Sequence, residues 1–237
     1  MKATLFLFAS LLVAANWGFA GEAPNLDDPK VRERILEKAV LGESLGRDWG
    51  PPMFLYQAQA GKNVPYTGWV KRFFVNGQVQ EISSYKDGKP DGLMTTWHKN
   101  GQKAGECLHK DGEMDGLVTA WHENGTKAQE AHYKGGELEG LVTRWHDNGT
   151  KAQEVHFKDG KPDGSLTLWH ANGQKQWEGE YKEGEREGLS TGWHENGTKS
   201  EEGHYKGGKR DGLWNTWDKD GKVTPQARYK DGEEVKE

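Results

Sequence analysis

One aromatic position recurs every 24 residues along most of the chain: Trp97, Trp121, Trp145, Trp169, Trp193 and Trp217, with Phe73 one step earlier. Four other columns keep the same phase. Asn-Gly stands at Asn76-Gly77, Asn100-Gly101, Asn124-Gly125, Asn148-Gly149, Asn172-Gly173 and Asn196-Gly197, and Asp220-Gly221 closes the set. A ring recurs at Tyr85, His109, Tyr133, Phe157, Tyr181, Tyr205 and Tyr229. Glycines recur from Gly88 to Gly232 and from Gly68 to Gly212. A fixed period of this size means an array in which each unit buries its apolar surface against its neighbours. Composition agrees. With 33% hydrophobic residues and 33 Gly among 237, the chain is too polar for a compact two-layer domain, yet 11% aromatic content argues against disorder.

Each unit reads as a β-hairpin. Gly140 to His146 has strand composition, Asp147-Asn148-Gly149 is a turn, Lys151 to Lys158 returns, and Asp159-Gly160 turns into the next unit. A three-residue loop with a left-handed Gly149 pairs His146 with Thr150. Carried along the strands without interruption, that register puts Leu141, Thr143, Trp145, Val155 and Phe157 on one face. Arg144, His146, Glu154, His156 and Lys158 fall on the other, with Val142 as the exception. The expected fold is all-β: an elongated single-sheet solenoid of antiparallel hairpins with one aromatic stripe and a short N-terminal capping helix.

The organisation expected from the sequence has four parts. Residues 1–20 read as a signal peptide, with Lys2, an apolar run from Thr4 to Ala15, and small residues at Gly18 and Ala20. The exported chain is then periplasmic or extracellular. Residues 21–67 hold a helix with Asp28 as N-cap and Pro29 in its first turn, its apolar side formed by Val31, Ile35, Ala39 and Val40. The helix is expected to cover the exposed edge of the first hairpin. Residues 68–235 are seven repeats and 236–237 a tail, with Glu233 onward frayed. Removing residues 1–20 takes the net charge from −5 to −6, which argues against a nucleic-acid partner. Cys107 is the only cysteine, so internal disulfides are excluded.

The repeated side chains raise chemical readings. His98, His122, His146, His170 and His194 follow the tryptophans, but equivalent histidines in adjacent units stand about 9.5 Å apart, too far to share one metal ion. They read as a polar row on a possible binding surface. The glutamates at 106, 130, 154, 178 and 202 alternate with lysines and lack the differentiated, enclosed pair that carboxylate catalysis needs. The column rings Phe73 to Trp217 and Tyr85 to Tyr229 read as structural. Trp69, Trp177 and Trp214 fall outside the tryptophan column and are expected to be exposed contact residues. Asn124, Asn148 and Asn196 each begin an Asn-Gly-Thr sequon that the hairpin turn also explains. No cofactor, metal site or enzymatic activity is expected.

The unit G-x(4)-W-[HY]-x-N-G-x-[KR], followed by E-x-x-[YF]-x-x-G, resembles the variant MORN repeat across residues 68 to 235. Bacterial proteins built from this repeat are often labelled antitoxin-like. The resemblance implies a scaffold for protein or membrane association. The expected function is a non-catalytic, exported scaffold with a protein partner. The alternatives are a module for cell-envelope polysaccharide and an antitoxin-like inhibitor of a toxin.

Overall fold

The computed structural model describes residues 23–48, 54–59 and 62–235; residues 1–20, read above as a signal peptide, and residues 236–237 lie outside them. From Gly68 onward the chain is an open antiparallel meander in which each strand pairs with the next. The unit around Trp145 shows the pattern: strand Gly140–Trp145 pairs with Lys151–Lys158, which pairs with Lys161–Trp169.

Two turns alternate at the two edges. At one, His146 N–H donates to Thr150 O at 2.8 Å and Gly149 N–H to His146 O at 2.9 Å, which is the expected three-residue loop with Gly149 at φ +83°. At the other, Asp159 and Gly160 both have positive φ, 49° and 72°, as a tight two-residue hairpin loop requires.

The faces differ from the uninterrupted alternation. Trp145 stands opposite Lys151, but Arg144 stands opposite Gln153, so the return strand gains one residue in a bulge. Beyond it Val142 faces Val155, and Leu141 faces His156. Val142 and Val155 are buried with Ala131 and Leu166, and Tyr133, Phe157 and Tyr181 pack against them. This is the valine face. Leu141, Thr143 and Trp145 occupy the opposite, tryptophan face with Glu154. The expected single stripe is therefore two rows on two faces, and Val142 is core while Leu141 is 40% exposed.

The N-terminal segment encloses the first unit from both sides. Helix α1 (Pro29–Lys38) is capped by Asp28, whose carboxylate accepts from Lys30 N–H at 2.9 Å. It ends where Ala39 turns extended. Its Ile35, with Leu26 and Ala39, packs on Trp69, Ile82, Leu93 and Trp97, all on the tryptophan face. On the valine face, Leu45, Leu55 and Tyr66 pack on Val70 and Tyr85. Edge protection comes from Val40–Leu41, paired parallel to Gly68–Phe73, so the helix covers a face and a short strand covers the edge. At the far end, Glu233 and Glu234 pair with Lys230 and Tyr229, so these two are ordered where fraying was expected.

Candidate interaction surface

On the tryptophan face, each lysine opposite a tryptophan in its own hairpin lies over the ring of the next unit. Lys103 Nζ is 5.2 Å from the Trp121 centroid, Lys127 5.3 Å from Trp145, Lys151 5.8 Å from Trp169, Lys175 5.6 Å from Trp193 and Lys199 5.8 Å from Trp217. Each is an attraction of about 0.5–1 kcal/mol at such half-exposed sites. The same lysines pair with the glutamate three residues on, Lys103 with Glu106 at 2.8 Å and likewise Lys127–Glu130, Lys151–Glu154, Lys175–Glu178 and Lys199–Glu202. Side chains three apart on a straight strand point to opposite faces; the bulge brings these onto one. Trp97 has Val79 at the lysine position one unit back, and Arg32 of α1 stands 5.9 Å from its ring instead.

Beside this ladder runs an exposed row. Leu117 is paired with His132, Leu141 with His156, Leu189 with His204 and Leu213 with Arg228. The four leucines are 40–49% exposed. In the first two units the same row is Trp69 and Leu93, both buried beneath α1.

The five histidines of the other row are half-buried and structural. The Nε2 of His98, His122, His146, His170 and His194 donates to the carbonyl of the next unit's tryptophan at 2.8–3.0 Å. The asparagines beside them do likewise: Asn148 Nδ2 donates to Ala171 O at 2.8 Å while its Oδ1 accepts from Thr150 N–H at 3.0 Å. Carbonyls only accept, so each Nε2 carries a proton and has no lone pair for a metal. Among the described residues no group of three or more His, Cys, Asp or Glu is placed to hold a metal ion.

The valine face carries a groove of about 460 Å³ lined by Gln153, Leu166, Leu168, Trp177, Tyr181, Arg186 and Glu201 among others. Trp177 is half-buried, with the Arg186 guanidinium 5.0 Å from its ring. Arg186 also donates to the hydroxyls of Tyr181 and Tyr205 at 3.1 and 2.9 Å, and these contacts raise its pKa. The expectation of exposure fails for Trp69 and Trp214, at 9% and 2%. Trp69 lies under α1. Trp214 lies over Gly203, where a Cβ would come within 2.3 Å of the indole. Trp177 uses Gly179 in the same way. The sequence held this signal: the column Cys107, Ala131, Val155 shrinks to Gly179 and Gly203 where the extra tryptophans appear.

Cys107 Sγ lies 3.8 Å from His109 Nδ1. Burial pushes the thiol up to about 11 and the imidazole down, so both are held in their neutral forms. A nucleophilic pair needs the opposite shifts.

No curated protein matches the chain. The family model described as MORN repeat variant matches residues 90–111, 114–134, 138–159 and 186–206. These segments are hairpins of the array just described, and in them the chain is similar to the MORN repeat variant.

Proposed function

We propose that the chain is an exported, non-catalytic repeat scaffold that holds a protein partner on its tryptophan face. The observation that carries this reading is the exposed row Leu117, Leu141, Leu189 and Leu213. Leucines left open in register in four of the last five units, interrupted at Ser165, are a recurrent apolar surface, and repeat arrays use such extended surfaces for binding. The lysines and glutamates of the neighbouring ladder are already paired, so a partner gains apolar contact there without stripping water from lone charges. Export rests on Lys2 and the apolar run that follows it.

A photo-crosslinking side chain at Leu141, in the full chain expressed in its own host, tests the reading. One stoichiometric protein should be trapped, and should be lost when the crosslinker stands at buried Val142. Polysaccharide binding with no trapped protein would contradict it. The groove beside Trp177 favours a second reading, a neutral saccharide: its Arg186 is engaged by tyrosines and Glu201 lies 3.6 Å from Arg210, leaving amides, a ring and leucines.

A further inference from the structure

The protein already shows how its tryptophan face takes up a helix. α1 lies with its N-terminal end over the second unit, where Asp27 pairs with Lys103 at 2.7 Å and Arg32 meets Trp97. Its C-terminal end is over the first unit, where Lys71 Nζ donates to Leu36 O at 2.7 Å. The helix therefore runs along the array between the row of Trp69 and Leu93 and the row of Val79 and Trp97, over Ile82.

Past the N-terminal end of α1 the same trough continues, uncovered by any of the described residues. One wall is Leu108, Leu117 and Leu141, 37–42% exposed; the other is Trp121 and Trp145 with their lysines. The floor alternates Thr119, Glu130, Thr143 and Glu154. One unit advances about 9.5 Å, two strand spacings, and seven residues of helix advance about 10.5 Å. An apolar residue once per heptad can thus meet one leucine per unit. The run stops at Ser165, opposite Glu180, which bounds the trough to the two units next to α1.

We propose that this trough docks an amphipathic helix of a partner protein, end to end with α1 and of similar length. The proposal rests on the scaffold reading above and names its partner's chemistry. The helix would carry apolar residues at heptad spacing toward Leu117 and Leu141. Like α1, it would place an acidic residue toward a lysine of the ladder and mixed charges elsewhere, because the floor glutamates are neutralised by Lys127 and Lys151.

The probe is a displayed library of peptides with the apolar pattern of α1 and randomised charged positions, selected on the full chain. Helical binders are expected, weakened about 10-fold by Leu117→Asp and again by Leu141→Asp, the loss of one buried leucine each. Leu213→Asp, outside the trough, should leave affinity unchanged. Unchanged circular dichroism of the variants shows that they fold. No binders, binders that stay extended, or binders indifferent to both substitutions would overturn the proposal. Self-association of the full chain that Leu141→Asp abolishes would overturn it in favour of a second copy. The Leu141 crosslink separates the two levels: a trapped protein attached through a non-helical segment sinks the helix and leaves the scaffold standing.

Discussion

Gly203→Ala isolates the packing argument in one methyl group. Gly203 is in extended strand, where alanine is ordinarily better than glycine by about 0.5 kcal/mol, and Ala131 fills the equivalent position three units earlier, fully buried. At 203, however, the new Cβ would stand 2.3 Å from two indole carbons of Trp214, against an ordinary contact of about 3.5–4 Å. The indole must move by more than about 1 Å. It is boxed by Tyr205, edge-on at 5.2 Å, and by Arg210 at 4.1 Å from its centroid. Overpacking of this kind costs about 2–3 kcal/mol. Trp214→Val restores the side chain found at Val142 and removes a buried indole N–H that has no hydrogen-bond partner. Alone it leaves a cavity and costs about 3 kcal/mol; combined with Gly203→Ala, the alanine should become neutral or favourable. Urea unfolding followed by circular dichroism, with hydrogen exchange to localise the effect, gives the coupling, expected at about 2 kcal/mol or more. A neutral Gly203→Ala, or a zero coupling, would refute the account of Trp214.

Other perturbations probe separate parts of the structure. Val142→Ala should cost about 1–2 kcal/mol and Leu141→Ala well under 1 kcal/mol in the same urea experiment. Asn148→Ala removes the bond to Ala171 and the turn bond to Thr150, and should lower stability by about 1–2 kcal/mol. Cys107, with its thiol raised to about 11 from an ordinary 9.0, should react slowly with iodoacetamide at pH 8 unless the chain unfolds. Because folding favours the neutral thiol, its contribution to stability is complete below about pH 9 and is lost as pH rises toward 11; urea midpoints across that window, against Cys107→Ala, check the sign.

Much of the fold was legible because repetition amplifies weak local signals. Seven Asn-Gly or Asp-Gly steps placed the turns; the three-residue loop from His146 to Thr150 is present, although the single-face parity that favours it is broken by the bulge. The bulge was not legible directly, since Ala152, Gln176 and Ser200 carry no residue type peculiar to it. Two clues pointed to it: Val142 would not fit the polar face, and each Lys–Glu pair is spaced by three. The burial of Trp69 depended on where α1 lands, which no local pattern encodes. The leucine row escaped notice for the related reason that its leucines look like core until the bulge shifts the register. The histidine row was visible, but its inter-unit bonds arise only when turns stack.

The central claim is that the register leaves the leucines of the tryptophan face open and buries the valines behind them. Single cysteines at 141, 142 and 189 in a Cys107→Ala background, labelled with a maleimide in the folded full chain, measure this directly. Leu141→Cys and Leu189→Cys should label nearly as fast as an unfolded control, and Val142→Cys at least 100-fold more slowly, on the order of its local opening. Rapid labelling at 142 with protection at 141 would mean the faces are exchanged, and the proposed docking surface would have no basis.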